Sequence, residues 1–465
     1  MFAACTLFLA ACGKQTVKIM TPPDASNRVL FSAEQLQTTL DKAGYQVMMQ
    51  QGDTTFSDPE IKTILLTEVN DTTLKKEGFH ITTTGNLTRV SGRDGSGVIY
   101  GCRELIDRVN DSEGKLNFPE ELKDGPEMVL RGACVGLQKM TYLPGHGVYE
   151  YPYTPESFPW FYDKEQWIKY LDMLVANRMN SLYLWNGHPF ASLVKLEDYP
   201  FALEVDEETF KKNEEMFSFL TEEADKRGIF VIQMFYNIIL SKPFAEHYGL
   251  KTQDRNRPIT PLIADYTRKS IAAFIEKYPN VGLLVCLGEA MCTVEDDVEW
   301  FTKTIIPGVK DGLQALGRTD EPPLLLRAHD TDCKLVMDAA LPIYKNLYTM
   351  HKYNGESLTT YEPRGPWSKI HTDLSSLGSI HISNVHILAN LEPFRWGSPD
   401  FVQKAVQAMH NVHGANALHL YPQASYWDWP YTADKLPNGE REFQLDRDWI
   451  WYQTWGRYAW NSHRD

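Results

Sequence analysis

The chain has 465 residues, enough for roughly two or three domains with cores of their own. It is 43% hydrophobic and 23% charged, an ordinary globular composition, and its net charge of −15 excludes a nucleic-acid-binding role because no basic excess is available to displace phosphate counterions. The same charge disfavours a long polyanionic substrate, while a local cluster of Arg and Lys can still hold one carboxylate.

The first residues, "MFAACTLFLAACGKQ", form a short apolar stretch ending in Leu9-Ala10-Ala11-Cys12. It resembles a bacterial lipoprotein signal, in which Cys12 is acylated and becomes the first residue of the mature protein. The stretch is too short to span a bilayer as a helix. No Lys or Arg precedes it, a departure from such signals, and an ordinary buried N-terminal segment is the other reading. The expectation is a signal region over 1–14 and a mature protein lipid-anchored to a membrane, in the periplasm or at the outer membrane of a bacterium. Cys102, Cys134, Cys286, Cys292 and Cys333 are scattered without metal-ligand spacing and read as small buried hydrophobes.

Residues 15–126 read as a small α+β domain. "TVKIM" and "YQVMMQ" are predicted strands around the amphipathic "SAEQLQTTLDKAGY". "KTILLTEV", "EGFHITTT" and "LTRVSGR" follow as strands, and "SGVIYGCRELIDRV" closes the unit as a helix. The segment "KDGPEMV" (Lys123–Val129) marks the boundary.

From 127 to 445 the pattern becomes strand, loop, helix, repeated. The predicted strands are "LRGACVG", "SLYLWN", "IFVIQMF", "VGLLVCLG", "PLLLRAH", "NLYTMH", "IHISNVHIL" and "ALHLYP". Helical patterns such as "KEQWIKYLDMLVANR", "RKSIAAFIEKYP", "DVEWFTKTIIPGVKDGLQALG" and "DFVQKAVQAMHNVHG" separate most of them. Count and length predict a (β/α)₈ TIM barrel, an α/β fold. Between the sixth and seventh strands, "SLTTYEPRGPWSKIHTDLSSLG" reads as more loop than helix. A doubly wound open sheet is the alternative, but it usually carries a Gly-rich phosphate turn and none is present. The last residues, 446–465, form an aromatic-rich amphipathic helix that suits the start of a C-terminal helical region.

Catalytic groups of such barrels project from the C-terminal ends of the strands. Those positions hold Asn186 and His188 after the second strand, then Gln233, Tyr236 and Asn237 after the third. Glu289 follows the fourth, Arg327, His329 and Asp330 the fifth, and His351, Lys352 and Glu356 the sixth. Asn390, Glu392 and Arg395 follow the seventh; Tyr421, Trp427 and Asp428 follow the eighth. Carboxylates on different strands, cations between them and aromatics around them suit glycoside cleavage. One carboxylic acid protonates the leaving oxygen, and a second carboxylate activates water or attacks the sugar. Glu289 ends the apolar "VCLGE", surroundings that raise a carboxyl pKa, so it is the candidate acid. Glu392 is the candidate partner, with Glu356 and Asp330 as rivals. Metal chemistry fits less well, because His381 and His386 fall on opposite faces of one strand and no HxH or HExxH spacing occurs. Neither a metal nor a cofactor is expected.

At these residues the chain resembles the family 67 α-glucuronidases. That family places an α+β domain before a (β/α)₈ barrel and a helical domain after it. Its Arg-Ala pair on the fifth strand is matched by "LLLRAHD", its Lys and Asn-Gly on the sixth by "HKYNGESLTTYEPRGP", and its Glu on the seventh by "NLEPFRWG". The resemblance implies Glu289 as general acid, Glu392 as base on water, and Arg327 and Lys352 on the sugar carboxylate. The family's Lys before the acid and its Asp after Asn-Gly have no counterpart here; Glu356 is the nearest carboxylate. The N-terminal domain and barrel also resemble the family 20 β-hexosaminidases, in which an Asp precedes the acid and orients the substrate acetamido group. Gly288 occupies that place.

The expected function is an exo-acting glycosidase removing a terminal sugar, an α-linked uronic acid, from an oligosaccharide or polysaccharide-derived substrate. Asp330, His329, Asn186, Asn390, Tyr236 and Trp427 are the further candidates for holding it. The alternatives are a β-hexosaminidase-like or other barrel glycosidase, and an idle carbohydrate-binding lipoprotein.

Overall fold

The computed structural model describes residues 14–56, 58–137, 152–236, 239–288, 291, 293–356, 358–386, 398–421 and 431–464. The chain divides into two units, Met1–Pro126 with Lys226–Gly228, and Glu127–Asp225 with Ile229–Asp465.

The first unit is a mixed sheet with two helices. Its strands are β1 (Thr16–Thr21), β2 (Gln46–Gln51), β3 (Lys62–Glu68), β4 (Phe79–Thr84), β5 (Leu87–Gly92) and β6 (Glu121–Asp124), in the order β2-β1-β3-β5-β4-β6. The helices Asn27–Lys42 and Gly95–Asp111 bury Val29, Phe31, Leu36 and Leu40, and Val98, Leu105, Ile106 and Val109, at helical spacing. Asp94 caps the second, its carboxylate accepting from the Gly97 amide at 2.9 Å, a contact that contributes about 1 kcal/mol. Strand β6 has no counterpart among the predicted strands. "ELKD" is short and charged, and its pairing with β4 rather than its own pattern makes it a strand.

The second unit is a closed barrel of eight parallel strands: β7 (Leu130–Gly136), β8 (Ser181–Trp185), β9 (Phe230–Tyr236), β10 (Val281–Cys286), β11 (Leu324–Arg327), β12 (Leu347–Glu356), β13 (Ile380–His386) and β14 (Ala417–Tyr421). The apolar runs of the sequence are these strands, buried on both faces because helices cover the outside and side chains fill the inside. Alternate residues point inward. Cys134, Tyr183, Trp185, Ile232, Met234, Tyr236, Leu284, Cys286, Leu325, Tyr348, Met350, Ile382 and Ala417 belong to one interior cluster. Each large aliphatic or aromatic side chain buried there contributes roughly 1.5–3 kcal/mol.

Two connections differ from the sequence pattern. The stretch between β12 and β13, read as more loop than helix, contains a helix over Pro366–Ser375. Its packing face is Leu374 with the fully buried His371, and a histidine at a core position breaks the apolar period. The long helix before β11 carries a π-helical turn at Phe301–Ile305, just ahead of Pro307, which has no N–H to continue an α-helical ladder. A hairpin of β15 (Tyr431–Lys435) and β16 (Arg441–Phe443) precedes the final helix, Trp449–Trp460.

That helix meets the N-terminal end of the barrel. The Glu127 and Met128 amides donate to the carbonyls of Trp460 and Ala459 at 2.9 and 3.2 Å. Arg131, with no exposed surface, donates to the Arg178 and Met128 carbonyls, both at 2.7 Å, and its guanidinium lies 5.3 Å from the Trp460 ring. Among the described residues no helix is long and apolar enough to cross a membrane.

Candidate functional site

The alternation of the strands decides what reaches the barrel mouth. On β12, Tyr348 and Met350 belong to the interior cluster, so Lys352 faces inward one step further toward the C-terminal end. On β11, Leu325 is interior and Arg327 follows it, paired in register with Cys286 of β10 and Met350 of β12. Arg327 and Lys352 are 3% and 7% exposed, so both cations stand inside the mouth rather than on the surface. The Arg327 guanidinium lies 5.3 Å from the Trp185 ring and donates to the Cys286 thiol at 3.5 Å. Trp185 in turn meets Tyr236 edge-on at 5.6 Å. Asn384 of β13 lies beside Lys352 in register, and its amide donates to the His419 carbonyl at 3.4 Å. The mouth thus holds an aromatic pair with Arg327 against it, and Lys352 buried on the adjacent strand.

The other face of β12 holds a histidine network. His351 donates through Nδ1 to the Lys352 carbonyl at 2.9 Å. Burial pushes its pKa down to about 4; the bond to the Lys352 carbonyl opposes this, and the nearby charges of Arg327 and Lys352 push it further down. Beneath it the carbonyl of Tyr353, an acceptor only, faces His371 Nε2 at 3.2 Å, so that nitrogen carries the proton. His371 Nδ1 then accepts from His381 Nε2 at 2.8 Å, which leaves His381 Nδ1 as an acceptor facing the Thr349 hydroxyl at 2.9 Å, a hydroxyl that also has the Leu374 carbonyl at 3.1 Å. With both rings neutral, the one Thr349 proton is shared between His381 Nδ1 and the Leu374 carbonyl. Burial holds His371 at about 3 and His381 well below the ordinary histidine range. The backbone around Lys352 is therefore fixed by neutral imidazoles.

The second-strand candidates are engaged locally. Asn186 donates to the Leu137 carbonyl at 3.1 Å and accepts from the His188 amide at 2.9 Å. His188 meets the Tyr266 hydroxyl at 2.9 Å, and burial lowers its pKa to about 3. His329 and Asp330 sit on the rim after β11, 3.8 Å apart and partly to largely exposed. Asp332 caps the helix Cys333–Ala340 through the Leu335 amide at 3.2 Å. Among the described residues no group of three or more His, Cys, Asp or Glu is placed to hold a metal ion. Cys102, Cys134, Cys286 and Cys333 are free and buried.

Gly288, the residue before Glu289, has a steric reason to be glycine. A Cβ there would lie 1.7 Å from the carbonyl oxygen of Asp330, whose backbone turns through φ 50°, and the Gly288 amide donates to the Thr331 hydroxyl at 3.0 Å. No Asp fits in this position, so the acetamido-orienting group of a hexosaminidase cannot be present there. Glu289, Asn390, Glu392, Trp427 and Cys12 lie outside the described residues, as does the side chain of Glu356, the last residue of β12. Trp185, Asn384 and His371 were not among the candidates of the sequence analysis. Inward parity within "SLYLWN" and "IHISNVH" points to the first two, whereas a strand-end rule considers only the residues beyond each strand.

No protein-family profile and no curated protein matches the sequence. Among solved structures, the chain is 74% identical to a GH138 enzyme targeting pectin rhamnogalacturonan II, with a TM-score of 0.92 over 97% of this chain. It spans 64% of the length of that enzyme. An N-acetyl-β-hexosaminidase from Streptomyces plicatus matches at 13% identity and TM-score 0.57, over 97% of this chain and 87% of its own. A glycoside hydrolase family 20 β-N-acetylglucosaminidase matches at 13% and 0.52, over 95% and 87%. These last two show the shared fold alone. The comparisons overturn the resemblance to the family 67 α-glucuronidases, since the high-identity relative is a GH138 enzyme. The pieces that carried that resemblance are a few residues each, and their spacing is that of the repeating strand-helix unit, which unrelated (β/α)₈ chains share.

Proposed function

We propose that this chain carries the catalytic barrel of an exo-acting glycoside hydrolase that removes a terminal α-linked uronic acid from rhamnogalacturonan II or its fragments. The observation that carries this reading is the Arg327 guanidinium held 5.3 Å from the Trp185 ring, itself packed on Tyr236, with Lys352 buried on the neighbouring strand toward the same C-terminal end of the barrel. A planar guanidinium and an ammonium suit one sugar carboxylate, and the aromatic floor suits the apolar face of the ring. The 74% identity to an enzyme that targets rhamnogalacturonan II supports the substrate, because pectic polysaccharides are rich in uronic acids.

Glu289 then donates the proton to the glycosidic oxygen and Glu392 activates water, with Glu356 as the alternative second carboxylate. Cys12 carries the lipid that holds the enzyme on the outside of the cytoplasmic membrane or at the outer membrane. The test is release of free uronic acid from rhamnogalacturonan II oligosaccharides by the protein and by Glu289→Gln. The variant is expected to lose at least about 10²-fold in kcat. If no uronic acid is released, or if Glu289→Gln turns over as well as the parent, the assignment fails.

A further inference from the structure

We propose that Trp367 is a stacking platform for a second pyranose ring, the one next to the uronic acid whose carboxylate Arg327 and Lys352 hold. This rests on the carboxylate-site reading above and extends it outward along the oligosaccharide.

Most tryptophans described in the barrel unit are buried; Trp167, Trp185, Trp300, Trp451, Trp455 and Trp460 are each at most 6% exposed. Trp367 is 39% exposed, at the start of the helix Pro366–Ser375 that follows β12. Its indole is nevertheless held. On one side lies Gly355, in the left-handed region at φ 70°, where a Cβ would stand 3.4 Å from the ring. On another lies His351, with ring centroids 5.6 Å apart. The helix begins at Gly365, at φ 61°, followed by Pro366, so the backbone under the indole is fixed as well. An aromatic ring fixed on its inner edges and open to solvent on the outside loses little entropy when it takes a ligand.

Position supplies the occupant. His351 is the neighbour of Lys352 in sequence and bonds its carbonyl at 2.9 Å, so the indole lies across the β12 backbone from the cationic pocket, with the His351 ring against the strand. Lys352 faces into the barrel and Trp367 lies on the outer side of the same strand, at its C-terminal end. A chain of sugars whose terminal carboxylate enters the mouth leaves past this rim. The open indole offers the surface that a pyranose C–H face requires.

The experiment is calorimetric titration of the Glu289→Gln protein with free galacturonic or glucuronic acid and with rhamnogalacturonan II oligosaccharides, repeated after adding Trp367→Ala, Trp367→Phe or Arg327→Met. The ratio of oligosaccharide to monosaccharide affinity is expected to fall about tenfold in Trp367→Ala and to recover in large part in Trp367→Phe. If the monosaccharide binds in an Arg327-dependent way and Trp367→Ala leaves the ratio unchanged, the platform is overturned and the carboxylate site stands. If the monosaccharide does not bind, or binds equally well in Arg327→Met, the carboxylate reading is overturned and the platform with it.

Discussion

Acidification is expected to unfold the barrel unit through its buried neutral histidines. His188, His351 and His371 have pKa values of about 3, about 4 and about 3 in the folded chain, against 6.5 when exposed. In each case burial is the first cause. A histidine whose folded pKa is depressed contributes stability that is fully present above 6.5 and is lost as pH falls toward the folded value. Asp297 acts in the opposite sense: burial and the neighbouring Asp296 raise it to about 7, so its proton is already bound in the folded state below that pH. Between about pH 6 and pH 5, each of the three imidazoles takes up roughly 0.8–0.9 of a proton on unfolding, while Asp297 releases about 0.9. The net uptake is about 1.6 protons, which corresponds to a loss of about 2 kcal/mol across that single unit of pH. His381 and His413 are shifted in the same direction as the other imidazoles and add to the loss. The exposed carboxylates with lowered pKa, such as Asp206 and Asp320, come into play at lower pH and do not cancel it.

Urea unfolding followed by circular dichroism at a series of pH values measures this directly. His371→Gln keeps a donor toward the Tyr353 carbonyl and removes one titrating ring, so it is expected to lower the loss by about 1.2 kcal/mol per pH unit. A stability that is flat or rising from about pH 6 to pH 5 would refute the neutral-histidine assignment, as would an unchanged slope in His371→Gln.

Four further outcomes concern the site and its supports. Arg327→Met and Lys352→Met are each expected to raise KM for a uronide by about 10-fold or more, in line with the loss of a charge-assisted bond of roughly 1.5–3 kcal/mol, and an equal effect on a neutral glycoside would count against them as carboxylate ligands. Gly288→Ala places a methyl against the Asp330 carbonyl, 1.7 Å away, and is expected to cost about 1–3 kcal/mol in urea unfolding and to lower kcat by displacing the backbone of residue 288, which precedes Glu289 in sequence. Arg131→Met leaves the Arg178 and Met128 carbonyls without that donor and is expected to destabilise by about 3 kcal/mol while sparing KM, because the residue lies at the opposite end of the barrel. Cys12→Ala is expected to move the protein from the membrane fraction to the soluble extract and to abolish incorporation of a labelled fatty acid; retention in the membrane would sink the lipid anchor.

The eight barrel strands were legible because a strand buried on both faces must be apolar along its length, and "VGLLVC" or "LLLR" has no other economical explanation. Pairing-dependent elements were not: β6 is charged and becomes a strand only through β4. The helix at Pro366–Ser375 was hidden for a different reason. His371 occupies a core position there, and its burial is made tolerable by hydrogen bonds to His381 and Tyr353 that no local pattern encodes. Arg327 and Lys352 were legible as strand-end cations. The floor beneath them was not, because Trp185 reads as one more apolar residue in "SLYLWN" until barrel closure brings β8 opposite β11.

Strand β12 shows why the cations and the histidines belong to one device. With a period of two, Met350 and Lys352 must share one face and His351 and Tyr353 the other, so whatever fixes the second pair also aims the first. His351 bonds the Lys352 carbonyl and His371 the Tyr353 carbonyl, and both bonds need a nitrogen that donates. A lysine side chain is flexible, and its ammonium gives only a point charge. Anchoring its backbone at two successive carbonyls reduces the positions the ammonium can reach. Arg327 needs less of this help, because its guanidinium already rests against Trp185. The unequal support for the two cations fits their chemistry: a rigid fork set by an aromatic ring, and a flexible ammonium set by the strand beneath it.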